Sequence, residues 1–441
     1  MFIRDTLVSA VIFASLPLCF LKPWLGILLW SWIGYMNPHK LTWGFATNMP
    51  FAQLVAFATI GGLLFTKEKY ALPGVREVYL LASFLFIMFL STMNAYYPDA
   101  AWEQFDKVWK IYLMTFITII LFQDAKKLRI LMWVIALSVG FFGVKGGLFT
   151  LRSGGTHMVL GPPTTFMDGN TEIGMALNMI LPLLVCLRRE IVKGWARHSL
   201  LAVICLTVIA IIGTYSRGAF LGLLVVLVVL FVKSRPKIIM AILLALAIPL
   251  GAAILPQRWV ERMQTIETYE NDTSAMGRVE AWKVALLMGK ERPLLGFGFR
   301  PFRTEMFERY GYTGGRDAHS IFFQVLAEHG VTGFMLYAGI IISSLCSLSR
   351  LVRVCDKRPA LQWVYNYSQM LQASLAGYLV CGTFLSMSYF DLFYHLVAII
   401  VILKALVHAH DCKAVANIKP LTKTSNRVRV DDKAAGTPVM A

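Results

Sequence analysis

Charge is scarce in this chain. Only 15% of its 441 residues are Asp, Glu, Lys or Arg, against about 25% in an ordinary soluble domain. Apolar residues make up 57%, and the mean hydropathy is +0.63. No soluble core of this size hides so much apolar surface. The composition therefore excludes a cytosolic enzyme, a coiled coil and a disordered chain, and it points to an all-α polytopic membrane protein. Acidic residues are the scarcer sign, 25 against 42 basic ones, for a net charge of +17. In a soluble protein that excess would suggest a nucleic-acid partner. Here none is expected, because cytoplasmic loops of membrane proteins collect Lys and Arg as a topology signal.

Paired cysteines are also missing. Cys19, Cys186, Cys205, Cys346, Cys355, Cys381 and Cys412 form no CxxC pair and fall in apolar runs or loops assigned to the inside, which argues against a disulfide framework and a zinc site. There is no P-loop, no HExxH and no DxD. The nearest approach to a DxD is Glu270-Asn271-Asp272, which reads as a turn before a helix. No metal and no cofactor is expected. The apolar runs carry almost no carboxylates, which argues against a proton-coupled transporter. The run ending near Leu21 lacks the small residues of a cleavage site and reads as a retained anchor.

What the chain does have is apolar runs, at about 7–36, 51–66, 78–93, 108–122, 128–149, 171–187, 198–214, 218–232, 237–255, 331–349, 371–388 and 393–408. Loops at 67–77, 123–129, 188–198, 233–237 and 350–358 are basic, and the loops between them are not. The alternation puts the basic set in the cytoplasm and predicts about twelve transmembrane helices. Residues 1–255 form the first block of crossings, the first of them broken at Lys22-Pro23. Two separate crossings there would make thirteen. Residues 256–330 form a large periplasmic loop with short helices of its own. Residues 331–410 carry the last crossings, and 411–441 a disordered basic cytoplasmic tail.

The outer loops hold the chemistry. Gly314-Gly315-Arg316-Asp317-Ala318-His319-Ser320 precedes IFFQVLAEHG, where Ile321, Phe322, Val325 and Leu326 recur at helical spacing and Gly330 supplies a stop. That predicts a helix of about twelve residues, too short to span. His319 in its first turn would be held neutral by the helix dipole, as a general base requires. The alternative is a helix-start His bonded to a loop carbonyl. Arg217, in the tight turn Thr214-Tyr215-Ser216-Arg217-Gly218, reads as a snorkelling side chain or as an anion ligand. Arg278 opens a helical stretch and reads as a salt-bridge partner or as a second anion ligand. Arg300, Arg303 and Arg316 lie around Gly296-Phe297-Gly298. Guanidinium forks suit phosphate oxygens, so these arginines are candidates for one outer anion site. Lys145, inside an apolar run, either snorkels or binds substrate. Asp168-Gly169-Asn170-Thr171-Glu172 reads first as a helix cap.

Taken in order, the SRG turn, the large outer loop, the His-Ser motif opening a helix that ends in Gly, and GNTEIGMAL resemble the bacterial O-antigen ligase and O-antigen polymerase superfamily, best over about 140–335. The stretch YMNPHKLTWGFA is similar to the branch of exosortase-associated O-glycosylation ligases. The resemblance implies a membrane-embedded, inverting, metal-independent glycosyltransferase of the inner membrane with its site on the periplasmic face. The donor would be an undecaprenyl-diphosphate-linked glycan, the acceptor lipid A–core, with membrane lipid around both. His319 matches the family's essential histidine, and Arg217 and Arg278 its arginines. A protein O-oligosaccharyltransferase or a glycan polymerase would share this chemistry. A lipid-linked glycan transporter would need the arginines but not His319.

Overall fold

The computed structural model describes residues 2–67, 71–233 and 273–418. The predicted run at 237–255, Glu270, Asp272 and the tail from 419 lie outside the described residues. The described residues fold into helices and the loops between them, with no strand among them. In chain order they are α1 (Phe2–Leu21), α2 (Pro23–Met36), α3 (Phe51–Phe65), α4 (Arg76–Met93), α5 (Pro98–Leu121), α6 (Ala125–Arg152) and α7 (Asn170–Glu190). Then come α8 (Gly194–Gly213), α9 (Arg217–Lys233), α10 (Thr273–Glu291), α11 (Thr304–Arg309), α12 (Ile321–Cys355), α13 (Gln362–Gly382) and α14 (Asp391–Ile418). Seven of them, α1, α4, α6, α7, α8, α12 and α14, are long and apolar enough to cross a membrane. The protein is an all-α polytopic membrane protein.

The chain turns back at Lys22. Asp5 near the start of α1 accepts the backbone N–H groups of Gly44 (3.1 Å) and Ala46 (3.0 Å), which follow α2. At the other end of α1, the Phe20 carbonyl lies so close to Gly62 of α3 that a Cβ there would sit 2.1 Å from it. Helices α1 and α2 are therefore antiparallel and not two halves of one broken crossing. Pro23 is the reason: at the first position of a helix it needs no hydrogen-bond acceptor, so it starts α2 and does not merely kink α1.

Small residues let the helices approach closely, as they do where lipid tails compete with side chains for apolar contact. On α6, Gly143 and Gly147 lie one turn apart and face α8. A Cβ on Gly147 would stand 2.3 Å from the Leu206 carbonyl, and one on Gly143 2.3 Å from Thr207. In the middle of the bundle, Asn178 of α7 donates to the carbonyls of Gly174 and Ala219, both at 2.9 Å, and so ties α7 to α9. At the end of the bundle away from His319, the buried Glu77 is paired with Lys404 at 2.5 Å and accepts from Ser343 and Ser347. That charge is satisfied, as an intramembrane carboxylate must be.

Candidate active site

Helix α12 starts after its N-cap, Ser320, so His319 stands one residue before the cap and not in the first turn. Its φ is 44°, a left-handed conformation that costs a non-glycine residue about 1–3 kcal/mol and recurs at functional sites. The neighbours hold it there. The His319 N–H donates to Ser386 Oγ at 2.8 Å, and the Ala318 carbonyl accepts from Trp282 Nε1 at 2.9 Å. Trp282 also stacks on Phe323, with ring centroids 5.2 Å apart. Helix α10 is thereby fixed against the His319 segment. Arg278 lies four residues before Trp282, on the same face of that helix.

The helical stop predicted at Gly330 is real. Gly330 has φ 67° and ψ −170°, and the chain resumes its helix beyond it. No side chain fits at this point, since a Cβ would lie 2.4 Å from the Pro293 carbonyl. That carbonyl accepts from Val331 N–H at 2.7 Å. The neighbouring Gly-Phe-Gly run pairs with the end of the short helix through Phe297 N–H to Ala327 O (3.0 Å) and Gly298 N–H to Glu328 O (2.9 Å). The glycines of the outer segment thus form a backbone clasp around the helix that follows His319.

The His319 side chain is half-buried. Burial and, second, the nearby Arg278 guanidinium hold its pKa below the ordinary 6.5, and the Asp317 carboxylate partly offsets them. The imidazole is therefore neutral near pH 7. The causes are desolvation and a neighbouring cation, not the helix dipole invoked from the sequence.

Arg217 opens α9 just after Ser216, whose hydroxyl accepts from Ala219 N–H at 3.2 Å as an N-cap. The turn before it is braced from α7, where Asn170 donates to the Thr214 carbonyl at 2.9 Å, and from the loop after α6, where Val159 N–H donates to Gly213 O at 2.8 Å. Gly218 packs 3.5–3.7 Å from Phe384 by its would-be Cβ. Phe384 and Ser386 belong to the same loop between α13 and α14. That loop touches the Arg217 turn on one side and His319 on the other.

Residues 200–338 match the sequence model of the O-antigen ligase family, and this segment holds Arg217, Arg278 and His319. The chain carries an O-antigen ligase domain. Residues 3–192 match a family of unknown function (DUF5935). No curated protein matches the chain.

Not every candidate of the ligase domain gathers at His319. Arg316 lies over Gly277 and is paired with Glu280 at 3.8 Å, so it flanks Arg278. Arg303 stacks on Tyr97, its guanidinium carbon 4.1 Å from the ring centre. Arg300, at φ 54°, pairs with Glu103 at 3.4 Å and lines a separate cavity of about 870 Å³ with Lys107, Lys110 and Asp391. The single arginine cluster expected around Gly296 and Gly298 is divided among three partners. Lys145 is further removed. It stands two residues from both Gly143 and Gly147, so it projects away from α8 into a cavity with Arg4 and Lys40.

The cap reading of Asp168 to Glu172 is also corrected. The N-cap of α7 is Gly169, without a side-chain bond. Asp168 accepts instead from Thr164 N–H at 3.0 Å, and Glu172 lies within electrostatic reach of Asp168 and Asp317. The sequence reading passed over a buried network behind the short helix. Glu328 accepts from Tyr389 and from the Arg300 N–H (3.2 Å), while His329 contacts Ser91 (3.0 Å) and Tyr389 (2.8 Å). A signal was present: Glu328-His329 is a pair of ionisable residues inside an apolar helical pattern. Among the described residues no group of three or more His, Cys, Asp or Glu side chains is placed to hold a metal ion.

Proposed function

We propose that the protein is an O-antigen ligase of the bacterial inner membrane, with its site on the periplasmic face, that transfers a glycan from undecaprenyl diphosphate to lipid A–core. The supporting observation is the neutral, half-buried His319 beside Arg278, within the ligase domain and joined by one loop to the Arg217 turn. The basic loops that hold Arg188, Arg189 and Arg353 lie at the opposite end of the bundle, which supports the periplasmic assignment.

In this reading the acceptor hydroxyl gives its proton to the His319 imidazole. Its oxygen attacks the anomeric carbon and forms the new glycosidic bond with inversion. The bond from that carbon to the diphosphate oxygen breaks, and the lipid diphosphate leaves with the electron pair. Arg217 and Arg278 stabilise the growing negative charge, the role of a preorganised cationic clamp. Arg316, over Gly277 and paired with Glu280, adds a further cation beside Arg278.

The test is transfer by purified protein from a lipid-linked donor to defined acceptors. His319→Ala is expected to keep donor affinity and to lose roughly 10²–10⁴ in turnover, the usual contribution of a positioned base. Wild-type turnover in that variant would overturn the base assignment and bring a different catalytic residue forward, whereas no transfer by the wild-type protein would favour a non-enzymatic transporter. Offering lipid A–core, a glycan chain end and a protein hydroxyl side by side decides between ligase, polymerase and protein glycosylation.

A further inference from the structure

Lys145 lies apart from the His319 cluster, in company that suggests a different ligand. The cavity it lines has a volume of about 780 Å³ and carries three cationic side chains, Arg4, Lys40 and Lys145, and no carboxylate. Among the described residues none of the three has an ion-pair partner. The nearest acid in sequence, Asp5, is buried and accepts the backbone N–H groups of Gly44 and Ala46. Arg4 is exposed, its guanidinium carbon 4.9 Å from the centre of the Trp43 ring. A single cation at a membrane interface is ordinary snorkelling. Three that converge on one cavity without a counter-charge form a site complementary to an anion.

The rest of the cavity is apolar, with Leu7, Val11, Trp32 and Phe141 in its walls. It adjoins a second one of about 500 Å³, and Trp32 and Met36 border both. This second cavity follows the groove between α1, α2 and α6 past Leu29 to Leu25, with Ser15 and Ser138 its only polar lining residues. From Met36 to Leu25 the groove runs roughly 16 Å along α2 at 1.5 Å per residue. A cationic mouth at one end of the bundle thus lies next to a long apolar trough.

We propose that this groove holds an anionic phospholipid of the bilayer, its phosphate among Arg4, Lys40 and Lys145 and an acyl chain along α1, α2 and α6. The lining shares no residue with the His319 cluster, and an acceptor must bring its hydroxyl to His319. The occupant is therefore a resident lipid and not the acceptor. The choice of a resident lipid over the acceptor rests on the proposed transfer at His319, whereas the anion preference of the groove does not.

Native mass spectrometry of the delipidated full-length protein in detergent tests it, with phosphatidylglycerol and phosphatidylcholine of equal chain length as probes. Phosphatidylglycerol is expected to bind at least about tenfold more tightly, since each basic residue near an anionic headgroup contributes appreciably. Replacing Arg4, Lys40 and Lys145 together by Gln should abolish the preference. Ser138→Trp, which fills the trough, should weaken both lipids. If the triple variant misfolds, the single charge reversal Lys145→Glu, at an exposed position, should reduce the preference. Equal binding of the two lipids by the wild-type protein, or a preference that survives the charge changes, overturns the proposal. Displacement of bound phosphatidylglycerol by lipid A–core also overturns it, and would make the groove an acceptor site.

Discussion

His319 and Ser386 are joined by a hydrogen bond from the His319 backbone N–H to the Ser386 hydroxyl, 2.8 Å long. Sixty-seven residues separate the two in sequence. The bond secures a backbone in the left-handed region to the loop that also packs on the Arg217 turn. His319 and the Arg217 turn therefore share one support.

Removing that support has a defined signature. Ser386→Ala leaves the imidazole in place but deprives the His319 N–H of its acceptor, worth about 1 kcal/mol. Turnover is expected to fall several-fold, up to about tenfold, with donor affinity retained. Transfer rate and donor binding measured on the same preparation check this, and equal loss of both would show that the loop serves donor binding instead.

The acid limb of the pH–rate profile should report His319. A general base works only when neutral, so transfer is lost as pH falls through its folded-state pKa. Burial and Arg278 hold that value down, which puts the limb below pH 6.5. Arg278→Ala removes a cation that disfavours the imidazolium, so the limb moves to higher pH. Asp317→Asn removes a carboxylate that favours it, and the limb moves lower. Rate profiles of kcat/KM for the three proteins give the order directly.

Arg217 and Arg278 should behave unlike His319. Changing either to Ala is expected to weaken donor binding and to slow departure of the lipid diphosphate. Lys should rescue only in part, because an ammonium is a point charge without a planar fork. Full rescue by Lys would reduce the role of the arginine to general electrostatics. If these cations carry the leaving-group charge, transfer also survives EDTA. Loss in EDTA restored by Mg²⁺ would assign that charge to a metal instead.

Two glycines on neighbouring helices give a packing test. Gly147→Leu forces a side chain against the Leu206 backbone, whereas Gly194, at the start of α8, has nothing within 4 Å of its would-be Cβ. The first is expected to cost about 1–3 kcal/mol or more, and Gly194→Ala to change little. Thermal unfolding in detergent separates them.

The helical class, most helix positions and the stop at Gly330 were legible in the sequence, because apolar runs and a glycine at a positive-φ site have local causes. The reversal at Lys22 was not, since a proline after an apolar run marks a kink and a new helix equally well. Motif order singled out Arg217, Arg278 and His319, and the fold sets His319 beside Arg278 and joins it by one loop to the Arg217 turn. The division of Arg300, Arg303 and Arg316 among Glu103, Tyr97 and Glu280 was not legible. Their partners are remote in sequence or chosen by geometry alone, and a cluster of like residues in the chain does not specify a cluster in space. Ser386 was illegible for the same reason.

The break at Gly330 has a mechanical consequence. A continuous helix behaves as a stiff rod, so a span that tilts when the bilayer thins would swing whatever its outer end carries. Here the rod is cut. The first two turns of α12 are fastened to the backbone of Pro293 to Gly298 and, through Ser388, to the loop before α14. Strain in the spanning part can be absorbed at one glycine before it reaches His319. The histidine is thus positioned through the outer segment and the loop between α13 and α14, and not by one continuous rod.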